Sequence, residues 1–418
     1  MLTQNKELQD YRGYFYKELL HILNFWKTYA VEKNRNGFYG AVDLENLPVL
    51  DAKKSCVLNA RILWTFSAAA SFLNDQNYKE LADLAYHVII EKFADPVNGG
   101  FFMELTADNQ VSNDMKHTYA QAFVLYALCK YYECNKSPKV FQIIKDFFLL
   151  IEKNTKDQRN PGYLEAFTCG WEPIFENRMA DNNEPKSMNT HLHLLEAYTG
   201  LYQIWKDDQL KQKLVDLLMI FFIKIIRHNG HLGIFFNDSF QETNPSSSIC
   251  SFGHDIEASW LLWEAVNVLD NKELISNFKP LVIRMVDVVE REGVDKDGGL
   301  FLESYRFGSH IRTNKHWWLQ AENLVGFMNV YSLTGKSTYW ETVKLTWQFI
   351  HDHVIDHDNG EWFTKVNRNG DPYLEEPPDD PSPYYRNDRK IDPWKCPYHN
   401  SRAMMELIKR IDQLNFET

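Results

Sequence analysis

A glycine followed by aromatic or branched residues recurs six times along the chain: Gly37-Phe-Tyr, Gly99-Gly-Phe-Phe, Gly162-Tyr, Gly233-Ile-Phe-Phe, Gly299-Leu-Phe and Gly360-Glu-Trp-Phe. A spacing of roughly 60 to 70 residues is too long for one helix pair of an ordinary solenoid, and suits two helices plus a loop that carries function. The stretches between the turns have helical periodicity, as in Arg61-Ile-Leu-Trp64, Tyr119-Ala-Gln-Ala-Phe123 and His193-Leu-Leu-Glu-Ala-Tyr198. Many of them are apolar round most of their circumference, as a helix is when neighbours pack on both sides. Six such hairpins closed into a ring make an all-α fold, an (α/α)6 barrel; a linear solenoid would need polar capping repeats, which the sequence lacks. No low-complexity linker interrupts the pattern, so residues 1–418 are expected to form a single domain.

Composition narrows the partners. The formal charge of -12 and the absence of a clustered Lys/Arg run argue against nucleic acid and anionic membrane surfaces. The start of the chain has neither a basic segment nor a cleavable apolar core, and no apolar run is expected to reach membrane-spanning length, so a cytoplasmic location is expected. Cys56, Cys129, Cys134, Cys169, Cys250 and Cys396 contain no Cys-x-x-Cys pair, the usage of reduced thiols without a disulfide or zinc site. Aromatic residues make up 14% of the chain, with 12 Trp, which serves a large core and equally offers flat faces for sugar rings.

The stretch Ser251-Phe-Gly-His-Asp-Ile-Glu-Ala-Ser-Trp260 feeds a glycine turn into a helix carrying His254 and Glu257 three residues apart, on one face. A carboxylate so placed orients an imidazole and raises its basicity, giving an acid/base pair. Asn189 and His193 share a face at the start of another helix. His193, His254 and His399 each follow a loop or turn and head a helix, so in a barrel they can converge at one end. Asp371-Pro-Tyr-Leu-Glu-Glu-Pro-Pro-Asp-Asp-Pro, continuing to Asp392, excludes helix and is expected to be a long surface loop at the rim of the cavity.

Rival chemistries fit less well. His191-x-His193 and His351-x-His353 set imidazoles on different helix faces, and no His-Glu-x-x-His spacing occurs, so no metal is expected. Thr334-Gly-Lys-Ser-Thr338 mimics the tail of a phosphate loop, but Val330 stands where its upstream glycine belongs. A glycosidase of this fold needs a carboxylate pair, for which Glu165, Asp181, Glu257 and Glu322 are candidates.

The segments Arg61-Ile-Leu-Trp64, Met115-Lys-His-Thr-Tyr119, Met188-Asn-Thr-His-Leu-His193, Gly253-His-Asp-Ile-Glu-Ala258, Trp317-Trp-Leu-Gln-Ala-Glu322 and Pro393-Trp-Lys-Cys-Pro-Tyr-His399 occur in this order. In them the chain resembles the acylglucosamine 2-epimerase superfamily, and within it the cellobiose 2-epimerases, over essentially its whole length. The resemblance implies an (α/α)6 barrel and a cofactor-free inversion at C2 of the reducing-end glucose of cellobiose or lactose. The sugar ring opens, a base removes the C2 proton to give a cis-enediolate, and reprotonation from the other face inverts the centre. It further implies His254 and His399 as the two acid/base residues, His193 in ring opening, Arg61 on the enediolate oxygens and Glu257 tuning His254. Tyr119, Asp181 and Asn189 match sugar-contacting positions. Trp260, Trp318, Glu322 and Trp394 match residues around the two sugar rings, Trp318 rather than Trp317 facing the cleft. The expected partner is a small-molecule sugar, the chain acting as a monomer or weak homodimer. N-acylglucosamine 2-epimerase and mannose isomerase activity are alternatives within the fold; a glycoside hydrolase or a non-catalytic sugar-binding protein are alternatives of another class. The long proline-rich loop bears on substrate length rather than reaction type.

Overall fold

In the computed structural model, which describes residues 2–175, 183–243, 246–305, 308–375 and 386–416, twelve α-helices are found among the described residues. They are α1 (Leu2–Tyr29), α2 (Cys56–Leu73), α3 (Gln76–Val88), α4 (Thr118–Asn135), α5 (Pro138–Thr155), α6 (Met188–Ile204), α7 (Asp208–Ile220), α8 (Phe252–Leu269), α9 (Lys272–Glu292), α10 (Trp317–Thr334), α11 (Ser337–Phe349) and α12 (Tyr398–Phe416). The even-numbered helices form a closed inner ring, α2 against α4 and so on round to α12 against α2. Each is backed by one odd-numbered outer helix, with α1 closing the set on α12. This is the (α/α)6 barrel.

Burial explains which helices go where. Nearly every residue from Cys56 to Ala70 of α2 and from Trp317 to Tyr331 of α10 is buried, because inner helices touch neighbours on every side. Outer helices keep a polar face: α5 buries Val140, Ile144, Phe147, Phe148 and Ile151 at helical spacing and exposes Lys139, Gln142, Asp146 and Lys153. One expectation is corrected here. α2 is long and apolar enough to cross a membrane, yet 83% of it is buried inside the barrel, where its apolar surface is covered by helices.

Inner helices pass to outer ones through turns of two or three residues. In four of these the residue closing the inner helix is left-handed, Asn74, Lys136, Asp270 and Gly335, and the next residue stands at the N-cap of the outer helix. Outer helices return to inner ones through long loops at the opposite end of the barrel, and all six glycine-aromatic turns lie in these loops. Each makes the same small ladder, Val31 with Phe38, Ala94 with Phe101, Lys156 with Tyr163, Ile226 with Leu232, Val294 with Leu300 and Ile355 with Trp362. Gly162 shows why glycine is required: its φ is +91°, and a Cβ would lie 2.4 Å from Phe240 and 2.6 Å from His191 Nε2.

These turns also locate the inner helices. An acid in or before the turn pairs with a buried lysine just ahead of the next inner helix: Glu32 with Lys54 at 2.5 Å, Asp95 with Lys116 at 2.9 Å, Asp157 with Lys186 at 2.7 Å and Asp356 with Lys390 at 2.6 Å. Lys315 makes the same link to Asp295 at 3.2 Å and Asp297 at 2.7 Å. In the remaining repeat, Arg227 pairs with Glu242 and donates to the carbonyl of Ile249 at 2.8 Å. The register of every inner-helix N-terminus is thereby tied to its turn.

Behind α8, His231 lies between Asp255 at 2.7 Å and Glu292 at 3.1 Å. Burial opposes a charge on His231, but hydrogen bonds to Asp255 and Cys250 together with the Asp255 charge outweigh it and raise the imidazole to about 11. The raised value means a stabilisation complete below the ordinary histidine pKa and lost as pH rises through about 11. His231→Asn is expected to cost about 3 kcal/mol at neutral pH, by stranding a buried Asp255. Urea unfolding of the two proteins checks it, and the difference should shrink as pH is raised through that range.

Candidate active site

At the loop-bearing end of the barrel, Arg61, Tyr119, Asn189, His193, His254, Glu257, Trp318, Glu322 and His399 all fall within the first two turns of inner helices. The common N-terminal direction of the inner ring brings together side chains spread over more than 300 positions of sequence.

His399 Nδ1 is 2.7 Å from Glu322 Oε1 and 4.0 Å from Glu257 Oε1. His193 Nδ1 is 2.9 Å from Glu196 Oε2, and His254 Nδ1 is 2.7 Å from Ser251 Oγ. In all three, Nδ1 is taken by a protein group, and among the described residues Nε2 makes no hydrogen bond, which leaves Nε2 for a ligand. His254 and His399 lie on the same indole, their rings 4.9 and 5.6 Å from that of Trp318. Trp317, its neighbour, is packed away from them under Lys395. Burial lowers His254 and His399 to about 3, with Glu322 opposing the shift at His399, so both are neutral imidazoles near pH 7. Burial lowers His193 as well, against the pull of Glu196.

Arg61 crosses from α2 to this group. Its Nη2 donates to Tyr119 Oη at 2.7 Å, Nη1 lies 3.5 Å from the carbonyl of Trp394 and 3.6 Å from Cys396 Sγ, and the guanidinium stacks 4.3 Å over Phe123. Tyr119 is packed edge-on against His193 at 5.0 Å, and Trp394 lies 5.9 Å from Tyr119. Asn189 Oδ1 and Trp318 Nε1 are buried with no hydrogen-bond partner among the described residues. The segment from Asp392 to His399 is fixed by its own contacts: Asp392 Oδ1 accepts from the backbone N–H of Trp394 and Lys395, while Glu361 of the sixth turn binds Lys395 and Asn400. Asp181 lies outside the described residues, as do residues 376–385 of the proline-rich loop.

Three expectations need correction. Glu257 does not reach His254; its Oε1 accepts from Arg402 Nη2 at 3.1 Å, because that guanidinium offers a buried charge where His254 offers a neutral ring already bound to Ser251. The His-x-x-Glu pair that forms is His193 with Glu196, the same three-residue spacing on α6. Trp260 and Glu322 are not disposed as ligand contacts: the Trp260 N–H donates to Glu322 Oε2 at 2.9 Å, and both Glu322 oxygens are engaged by protein groups. Ser251 adds a related detail. At the matching position before α2 and α6, Ser55 and Ser187 cap their helices, whereas Ser251 leaves α8 uncapped and binds His254 instead.

Sequence reasoning missed Glu196, Tyr398 and Arg402. Arg402 is fully buried and touches Glu196, Tyr398, Glu257 and Glu322. Glu196 had a usable signal, the spacing already noticed for His254 and Glu257; Arg402 had none, since a helical arginine normally faces solvent. Glu257, Glu322 and His399 also present ligand atoms within 4.8 Å of one another, the spacing of a metal site. Arg402 Nη2, 2.6 Å from Glu322 and 3.1 Å from Glu257, already places a positive charge among these oxygens.

The N-acylglucosamine 2-epimerase family model matches residues 37–386. The chain belongs to this family. It is 37% identical to a cellobiose 2-epimerase of Bacteroides fragilis over 94% of this chain and 97% of that one, and 35% identical to a cellobiose 2-epimerase of Dictyoglomus turgidum over 93% and 96%. Among solved structures, the cellobiose 2-epimerase of Bacillus thermoamylovorans superposes with a TM-score of 0.88 at 34% identity, covering 96% of this chain and 100% of that one. This member of the epimerase family gathers the three histidines, Arg61 and Trp318 at one end of the barrel.

Proposed function

We propose that this chain is a cellobiose 2-epimerase, inverting C2 of the reducing-end glucose of cellobiose to give the mannose-ended disaccharide. The observation that carries the reading is the pair His254 and His399, held on Trp318 by different Nδ1 partners, each with Nε2 unengaged among the described residues.

Inversion at a carbon next to a carbonyl needs two groups, one to take the proton and one to return it from the other face. An imidazolium formed at His399 is stabilised by the Glu322 carboxylate on Nδ1; one formed at His254 has the Ser251 hydroxyl on Nδ1 and feels the Glu322 charge from further off. His193, oriented by Glu196, assists ring opening. Arg61 meets the negative charge that develops on the enediolate oxygens, its other donors fixed by Tyr119 and the Trp394 carbonyl. Asn189 accepts from a sugar hydroxyl, and Trp318 and Trp394 supply ring faces. Lactose is expected to be a substrate too, since its reducing end is the same. A glycosidase fits poorly. Glu196, Glu257 and Glu322 gather round one guanidinium instead of facing each other across a cleft, and Glu165 is spent on Ser187 and Thr190.

The test is proton NMR of cellobiose, lactose, glucose, mannose and N-acetylglucosamine, each incubated with the protein in heavy water and a chelator. Deuterium at C2 of the reducing glucose of cellobiose, with mannose-type signals growing in, is the expected result. Ketose formed from monosaccharides alone would assign a mannose isomerase, and C2 exchange of N-acetylglucosamine alone the N-acyl sugar. No exchange in any sugar would sink the enediolate reading.

A further inference from the structure

Arg402 sits at the centre of the inner ring, one helical turn below His399. Nη1 bonds Glu196 Oε1 and Tyr398 Oη, and Nη2 bonds Glu322 Oε1 at 2.6 Å and Glu257 Oε1 at 3.1 Å. The guanidinium carbon lies 4.1 Å from the ring centre of Tyr398 and 4.7 Å from that of Trp260. On its far side a cavity of about 540 Å³ opens at the C-terminal ends of the inner helices, lined in part by Arg402, Glu196 and Trp260. Arg402 therefore closes the floor beneath the histidines, and one cation is shared by three buried carboxyl groups from three helices.

Two of those carboxyl groups are the Nδ1 partners of His193 and His399. An ionised carboxylate can only accept, so it holds the imidazole proton on Nδ1 and leaves a lone pair on Nε2. A protonated carboxyl group would donate to Nδ1 and force the proton to Nε2, the wrong tautomer for a base. We propose that Arg402 is a positioning residue that keeps Glu196 and Glu322 ionised and thereby sets the tautomers of His193 and His399.

The charges around it agree. Burial alone would raise both acids, but Arg402 together with the histidines holds Glu196 below the usual carboxylate range and Glu322 at about 2. Glu257, burdened by burial and by the neighbouring charge of Glu322, is raised instead. The remaining groups facing the cluster do not replace Arg402. Arg61 on α2 is engaged by Tyr119 of α4, Tyr126 and Tyr398 are phenols raised well above their ordinary value by burial, and Glu406 on α12 is paired with Lys409 and Arg410.

The inference rests on the epimerase reading of His193 and His399 for its purpose, though not for its test. Histidine-labelled protein is examined by 15N NMR without substrate, in the wild type, Arg402→Lys and Arg402→Met, beside the C2-exchange assay. In the wild type, His193 and His399 are expected to carry Nδ1–H throughout pH 6 to 8; Nε2–H on both would overturn the proposal without any variant having to fold. In Arg402→Met the two tautomers are expected to reverse, with kcat at least about a hundredfold lower and KM little changed. Arg402→Lys keeps the charge without the fork, so it should retain both tautomers and lose about tenfold in kcat. A folded Arg402→Met with wild-type tautomers removes the role. Tautomers that follow Arg402 in a protein without C2 exchange would sustain it while sinking the epimerase reading.

Discussion

His254→Asn and His399→Asn are each expected to lower kcat for C2 inversion by about 10³- to 10⁴-fold while leaving the barrel intact. Folding should survive because neither imidazole is a keystone. The hydrogen bond of His254 among the described residues is the one to Ser251, and Glu322 keeps Arg402 and the Trp260 N–H when His399 is gone. The two losses should differ in kind from a general loss of binding. With one imidazole missing, the other still reaches C2 from its own face, so each variant should exchange the C2 hydrogen of one epimer with heavy water without inverting it. Full inversion in either variant would remove that histidine from the mechanism; exchange of both epimers would remove the two-face scheme.

Arg61→Met is expected to lower kcat by about 10²- to 10³-fold with KM changed only a few-fold, the signature of a donor that acts on charge developing in the transition state. The prediction follows from the preorganisation of the guanidinium: Tyr119, the Trp394 carbonyl, Cys396 and the Phe123 face fix it before any ligand arrives. Arg61→Lys should recover little, because an ammonium cannot make the same set of directed bonds. Steady-state kinetics on cellobiose decide it, and a variant that loses only affinity would place Arg61 in binding alone.

Much of this architecture was legible in the sequence because it is periodic. The six glycine-aromatic turns mark six returns of the chain to one end of the barrel, and Gly162 shows the backbone conformation and the lack of space that make glycine obligatory there. The buried lysines ahead of the inner helices carry the same period and went unread, since a lysine in a sequence suggests a solvated surface. His193, His254 and His399 could be grouped because each heads a helix. The partners of those histidines were much less legible. His254-x-x-Glu257 and His193-x-x-Glu196 look alike as strings, yet only the second pair forms.

Local pattern, then, determined the helices, their number, the turns between them and the end of the barrel where chemistry-bearing residues gather, because those depend on periodicity and backbone conformation within one repeat. The tertiary structure alone decided which carboxylate serves which imidazole. That choice is set by Arg402, which reaches across the ring from α12 to acids on α6, α8 and α10 and draws Glu257 away from the histidine nearest to it in sequence. A buried cation competes for carboxylates by distance in space, and no spacing along the chain encodes that distance.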